Sequence, residues 1–520
     1  MRIGVDVGGT NTDAVLMNGN QVVAKVKSPT TERVEDGIIA ALSLILAEAG
    51  IEAPAVTAVS IGTTHFTNAF VQRKRLDRVG AIRIAKPAAQ ALPPYSDWPD
   101  DICTALGNHA VSVRGGYHYD GRVNSELDEA AIAAAARTYR NEGINAIALS
   151  ALFAPINDDM EIRAHEIIKQ EHPDAAVTLS SKIGRIGLLE RENAGLMNAS
   201  LTTLATETVT GFEKALAKLG ITAPFFVSQN DGTLMNAGTV KAYPVLTFAS
   251  GPTNSMRGAA FLAGLEDAMV ADIGGTTTDI GVLRAGFPRE SSIQVDIGGV
   301  RTNFRMPDVT ALGLGGGSIV RQNADGRVSI GPDSVGFELA QKAMVFGGDT
   351  ITTTDIAVAA GYAEIGDPGR VKSLDRALVD ASVNEIHRLV EDGIDRMKTS
   401  GDGTPLILVG GGAILINRDL KGVSETLVQE QAGVANAIGA SIAQVGGEVD
   451  KVFAYDEIGR ETAIERATSE AKREAIAAGA IPDSVEIMDM DEVPLACIPG
   501  GAVRLRVKVA GDLSHSKGAV

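Results

Sequence analysis

At 520 residues the chain is long enough for two to four domains. Its formal net charge of −18 argues against nucleic acid or an anionic membrane as partner, since both select basic faces. Two cysteines, Cys103 and Cys497, are too few for a disulfide framework or a cysteine-built zinc site, and no apolar run reaches the length of a membrane span.

The chain opens on "IGVDVGGTNTDAVLM", which reads as strand, glycine turn, strand. Asp6, Gly8, Gly9, Thr10, Asn11, Thr12 and Asp13 occupy the turn and its shoulders. Glycines there let backbone N–H groups face a phosphate with no Cβ in the way, and threonine hydroxyls add donors. The carboxylates suit a hydrated Mg²⁺, which keeps most of its waters and takes one or two acids. A chain that starts directly on a strand carries no signal peptide, so a cytoplasmic location is expected.

"EDGIIAALSLILAEAG" places apolar residues at helical spacing and closes on Gly50. A strand over 56–61 then runs into Gly62, Thr63 and Thr64, with a helix from about Asn68. A strand ending this way commonly faces a ligand at the edge of a doubly wound sheet. The plainer reading makes Thr64 a helix cap. His65 lies inside the element and is a candidate substrate contact, although a lone histidine is more often structural.

Residues 86–125 are loop-rich and collect Tyr95, Trp98, Tyr117 and Tyr119, with Arg114 and His118 among them. Such loops either read a substrate or cover a sheet edge, and both readings stand. Residues 126–180 read helix, strand, helix, strand. His165 and His172 lack the spacing of a zinc-protease helix and are expected at the surface. One long helical stretch is expected over 186–220, and a strand over "YPVLTFASGP". Next comes a glycine-rich turn, and a helix that Thr253 or Asn254 is placed to cap.

Near the middle, "VADIGGTTTDIGVL" repeats the opening pattern. Asp272, Gly274, Gly275, Thr276, Thr278 and Asp279 stand at one constant offset from their counterparts in the first hairpin, and Thr277 completes the turn. Two such hairpins half a chain apart are explained by duplicated half-domains, each offering a phosphate-binding turn to one cleft. A glycine loop, "GLGGGS", follows with Gly315 and Gly316, and then a long helix, "SLDRALVDASVNEIHRLVEDGIDRMK". A strand over 406–409 breaks into Gly410, Gly411 and Gly412, and "QAGVANAIGASIAQVGG" reads as a closing helix. The tail reads strand, helix, strand, strand. Cys497 reads as a buried small hydrophobe, and "SHSKGAV" as a disordered end.

The hairpin pair resembles the phosphate loops of the actin and sugar-kinase ATPase superfamily. More specifically, the order of elements resembles the hydantoinase/oxoprolinase A-subunit family: GTT-x-x-TN, "ER…NASL", the SGP turn, IGG, GLGGGSI and IGPDSVG. The resemblance covers roughly residues 2–510. The chain departs from the pattern at Asp231, where glycine is usual, and after IGPDSVG, where a PGPxCYG segment of larger members is replaced. The resemblance implies two doubly wound α/β lobes of actin-like ATPase type around a nucleotide cleft, with a small C-terminal α/β module. The expected bounds are 1–185, 186–447 and 448–520.

It further implies ATP and Mg²⁺, with Asp6 and Asp272 holding the ion or its waters. Gly8, Gly9, Thr10, Gly274, Gly275 and Thr276 would cradle phosphates, with Thr10 and Thr276 in catalytic contact. Asn11, Thr12, Thr277, Gly315 and Gly316 would line the nucleotide site, and Gly410, Gly411 and Gly412 would admit the adenosine. Thr63, Thr64, His65, Asn68, Glu190 and Arg191 become expected substrate contacts. The implied activity is ATP-dependent hydrolysis of a cyclic amide, hydantoin, lactam or related carbonyl compound with a companion protein subunit, in an oligomer. A small-molecule kinase and an ATP-driven reactivase are the alternatives.

Overall fold

The computed structural model describes residues 1–8, 11–29, 34–291, 294–304, 306–323, 326–495 and 500–514. Gly9, Thr10, Cys497 and the last six residues, all assigned expectations above, lie outside the described residues.

Both predicted hairpins form, and they form alike. Arg2–Val7 pairs antiparallel with Asn11–Asn18, setting Asp6 opposite Asp13 and Val7 opposite Thr12. Ala268–Ile273 pairs antiparallel with Thr278–Arg284, setting Asp272 opposite Asp279 and Ile273 opposite Thr278. Each turn is closed by one bond at the same place. Gly8 N–H donates to Asn11 O at 3.0 Å, and Gly274 N–H to Thr277 O at 2.9 Å. Each hairpin then gains a parallel neighbour on its first strand, Ala58–Thr63 in one case and Thr404–Val409 in the other.

The hairpins sit in different sheets. The larger sheet has nine strands in the spatial order Glu486–Pro494, Ala502–Gly511, Gln444–Ala454, Thr233–Asn236, Phe225–Ser228, Ala58–Thr63, Arg2–Val7, Asn11–Asn18, Gln21–Pro29. It takes strands from all three expected segments, laid side by side in consecutive blocks from the tail to the N-terminal strands. The tail strands extend this sheet at one end. Gln444–Ala454 pairs with Thr233–Asn236 on one side and runs antiparallel to Ala502–Gly511 on the other. A detached tail would leave the Thr233–Asn236 edge open to other chains.

The second hairpin lies in a six-stranded sheet with Thr404–Val409 and Val423–Val428. A third sheet is parallel throughout, in the order His109–Arg114, Val79–Lys86, Ala146–Ala151, Ala176–Leu179.

Two helices join the two larger sheets. Ser250–Ala263 buries Met256, Ala259 and Ala260 with Val270, Ile407 and Val409 of the six-stranded sheet. Ala435–Ile442 buries Ala437 and Ile438 with Val15 and Met17 of the nine-stranded sheet. The helices cross in backbone contact, which only glycine permits. A Cβ on Gly258 would lie 1.8 Å from Ala435 O, and one on Gly439 would lie 1.9 Å from Asn254 O.

Several local expectations are corrected. The stretch 186–220 is two helices, Leu188–Ser200 and Thr202–Lys218, broken at Leu201. Ser200 and Thr202 hydroxyls bond back to Met197 O and Ala199 O, and Asp77 accepts from Thr203 N at 2.9 Å, capping the second helix. "YPVLTF" is a tight turn, Pro244–Thr247, rather than a strand. Pro244 has no N–H for a ladder, and Asn236 has already started a short helix by accepting from Thr239 N at 2.9 Å. Ala249, in the left-handed region at φ 59°, precedes the helix that Thr253 or Asn254 was expected to cap; both lie inside it.

His172 is 3% exposed, with Nε2 3.1 Å from Ile144 O, so it is a core residue rather than a surface one. Tyr95 and Trp98 are likewise core. They stack edge-on, and Trp98 Nε1–H donates to Asn193 Oδ1 at 2.8 Å.

Candidate active site

The mouths of both hairpins open on one cavity of about 330 Å³. Its lining includes Gly8, Asn11 and Asp13 from the first hairpin, and Asp272, Gly274 and Gly275 from the second. Val409, Gly410 and Gly411 close it at the end of the parallel strand, and Ala432, Gly433 and Asn436 lead into the crossing helix. A strand end, two glycine turns and a helix start thus bring main-chain groups to one space, which suits an anionic, flat-ringed ligand.

The acids at this cavity are perturbed, with Asp6 buried and Asp272 and Asp279 half-buried. Burial, then the neighbouring Asp13, pushes the Asp6 carboxyl up to about 7, while the bond from Asn436 opposes the rise. Asp279 is pushed up to about 7 by burial and by Asp272. Asp272 is raised by burial, opposed by a bond from the Ser255 hydroxyl and by the charge of Lys27. Buried carboxylates with raised pKa values hold unfavourable negative charge that a cation would relieve. Among the described residues no group of three or more His, Cys, Asp or Glu side chains is arranged to enclose a metal. The donor set therefore fits an ion that keeps its waters and takes one or two acids, as Mg²⁺ does.

The side chains that hold these acids come from the crossing helices. Asn436 Nδ2 donates to Asp6 Oδ2 at 2.8 Å and to Asp13 Oδ2 at 3.4 Å. Consecutive residues on the other helix serve the two hairpins separately, Asn254 beside Asp6 and Ser255 on Asp272. Sequence reasoning missed Lys27, Asn254, Ser255 and Asn436 as site residues. The "TNS" after the SGP turn was the one available signal; Asn436 has none, being 430 positions from its partner.

The expected glycines divide by position. Gly411 and Gly275 face open space at the cavity, while Gly410, at φ 83°, would drive a Cβ to 2.5 Å from Asp272 Oδ1. Gly412 is buried against Ile273. Gly315 and Gly316 do not line the cavity. Gly316 and Gly317 amides donate to Gly274 O at 2.9 Å and Gly275 O at 2.7 Å, clamping the second turn from outside. Thr276 and Thr277 are exposed on that turn, whereas Thr12 and Thr278 are buried.

The expected substrate residues form two groups away from the cavity lining. Thr63, Thr64, His65 and Asn68 gather at a helix start: Thr63 Oγ1 accepts from His65 N at 3.1 Å, and Asn68 donates to Thr64 Oγ1 at 3.2 Å. Ser250 donates to Thr63 O at 3.3 Å, so this turn touches the SGP turn. Burial and Arg75 push His65 below its ordinary pKa. Arg191 is fully buried and donates to Ser180 Oγ at 3.0 Å, Arg185 O at 2.9 Å and Ile186 O at 2.7 Å. Its guanidinium holds the main chain at the start of its own helix instead of facing the cavity. Glu190 accepts from Gln294 at 2.7 Å.

Residues 2–172 match the model of the hydantoinase/oxoprolinase N-terminal region, and residues 191–397 match that of hydantoinase/oxoprolinase. The chain belongs to the hydantoinase/oxoprolinase family. It is similar to caprolactamase subunit alpha of Pseudomonas jessenii, at 26% identity over 428 residues, covering 76% of this chain and 60% of that one. It is also similar to the acetophenone carboxylase gamma subunit of Aromatoleum aromaticum, at 28% identity over 393 residues, covering 69% and 53%. The chain spans less than two thirds of these relatives. The crystal structure of ATP-dependent caprolactamase from Pseudomonas jessenii matches with a TM-score of 0.78 at 21% identity, covering 99% of this chain and 88% of that one. The chain accordingly has the mixed α/β fold of that structure. Among the described residues no helix is long and apolar enough to cross a membrane.

Proposed function

We propose that this member of the family binds Mg-ATP between its two hairpins and uses it to activate a cyclic amide or related carbonyl compound by phosphoryl transfer. A companion subunit completes the reaction. The observation that carries this reading is the repeated acid-glycine hairpin, present twice in one register and converging on one cavity. The subunit names of the caprolactamase and acetophenone carboxylase relatives support the carbonyl class and the companion.

Phosphoryl transfer asks the protein for positioning and charge neutralisation rather than covalent chemistry. Asp6 and Asp272 would hold Mg²⁺ through its waters, an ion that supplies charge neutralisation when bound. The Gly8 and Gly274 amides close the two turns, the Gly275 amide would face the phosphates, and Gly410 and Gly411 leave room for the nucleoside. Asn436 keeps Asp6 aimed at the cavity, and Asn254 and Ser255 stand beside the two acids. The activated amide is reactive toward water, which favours transfer inside a complex.

The test is phosphate release from ATP with a panel of lactams, hydantoins and ketones, with the chain alone and with the product of its neighbouring gene. The pair should couple ATP consumption to ring opening or carbonyl modification, and Asp272→Ala should abolish both while leaving the protein folded. Complete, coupled turnover by the isolated chain would refute the companion. Substrate-independent stimulation by a protein alone would replace the enzyme reading with a reactivase.

A further inference from the structure

We propose that Lys27 is the cation that takes up phosphate charge in this cavity, leaving Asp13 for phosphate oxygens when nucleotide binds. The proposal rests on the nucleotide reading above and adds to it a residue outside every motif of the sequence.

Lys27 is the one basic side chain among the described residues lining the cavity, where the ionisable lining is otherwise Asp13 and Asp272, with Asp6 behind them. A polyphosphate entering such a space meets acids, and main-chain amides alone carry no full charge to offset it. Lys27 stands on the third strand of the nine-stranded sheet, directly opposite Asp13. Its Nζ lies 2.9 Å from Asp13 Oδ1. The lysine side chain is 50% exposed and that of Asp13 only 7%, so the cation end of the pair reaches solvent while the carboxylate is buried. A flexible, half-solvated lysine held at a cavity wall by one carboxylate can reach other anions that enter the cavity.

There is room for the exchange. A second cavity of about 320 Å³ adjoins the first and shares Lys27 and Gly433 with it, so the lysine stem sits where the two spaces meet. Asp13 would not be stranded by the move, because Asn436 Nδ2 also reaches it at 3.4 Å.

The duplication supplies the internal control. The two hairpins agree in their acids, in their cross-strand register and in the bond that closes the turn. They differ at the residue facing the second acid. Opposite Asp13 is Lys27; opposite Asp279 is Ala311. A purely structural brace for the hairpin would be wanted in both copies. A cation in one copy alone assigns the phosphate charge to the first hairpin's side of the cleft.

The experiment is calorimetric titration of parent, Lys27→Ala and Lys27→Arg with Mg-ATP, Mg-ADP and adenosine, alongside melting temperatures without ligand. Lys27→Ala should bind Mg-ATP roughly 10- to 100-fold more weakly, as expected for loss of one charge-assisted contact. Adenosine binding should be unchanged, and Lys27→Arg should recover most of the ATP affinity. Equal ATP affinity in parent and Lys27→Ala overturns the role of Lys27 while leaving the nucleotide site intact. Parallel losses for adenosine and ATP overturn it too, by showing a collapsed cavity. A parent protein that binds no Mg-ATP removes the nucleotide reading and this proposal together.

Discussion

Burial makes the charged form of Asp6 costly in the folded protein, and this gives a stability prediction with a definite sign. Its carboxyl is raised from 3.8 to about 7. The folded state therefore holds that proton more tightly than the unfolded chain. The stabilisation is fully present below the unfolded value and is lost as pH rises through about 7. A rise of about three units at about 1.4 kcal/mol each makes the charged side chain cost the apoprotein about 4 kcal/mol at alkaline pH. Asp6→Asn keeps the shape and keeps an oxygen to accept from Asn436, and it removes that charge beside Asp13. Measured in chelator by chemical denaturation, the variant should be more stable than the parent at about pH 8, with the gap closing toward about pH 4. Added Mg²⁺ and nucleotide should stabilise the parent and leave the variant unmoved, so the ranking reverses when ligand is present. A variant less stable than the parent at alkaline pH, or a gap independent of pH, would refute the argument that burial and Asp13 strain this acid.

Gly411→Val projects a side chain into open cavity space, so it should weaken ATP binding in calorimetry far more than it lowers the melting temperature; unchanged affinity would place this turn outside the site. Gly439→Ala meets Asn254 O at 1.9 Å and must part the crossing helices. It should lower stability by about 1–3 kcal/mol, as overpacking does, and weaken Mg-ATP binding as well, read by denaturation and titration on one preparation.

The hairpins were legible because their signal is local. Apolar runs, glycines and acids at one constant offset fix strand, turn and strand without reference to distant residues. The partition into sheets was not legible, because it depends on which distant strand completes an edge. Nothing near Gln444–Ala454 announces that its partner is Thr233–Asn236. "YPVLTF" has strand composition, yet Asn236 and Pro244 decide its backbone. Arg191 and Glu190 illustrate the limit of a family motif. The residues are where the pattern puts them, but the guanidinium serves the loop before its own helix. Lys27 escaped notice because its relevance lies only in the cross-strand register with Asp13, and that register passes through an irregularity near Leu16 and Met17.

The placement of Asn254, Ser255 and Asn436 changes how the two halves of the cleft relate. Were each acid held by its own sheet, movement of one lobe would carry its acid away from the other. Instead, neighbouring residues of one helix reach both Asp6 and Asp272, and the second helix, in backbone contact with the first, holds Asp6 and Asp13. The acids are thus referenced to a single pair of crossed helices, one seated on each large sheet. A ligand that neutralises these acids has differential contacts with the arrangement of that pair, which is what a population shift requires. Its effect would pass to both sheets at the crossing, where glycines leave no slack. The clamp of Gly316 and Gly317 on the second turn would follow with the six-stranded sheet.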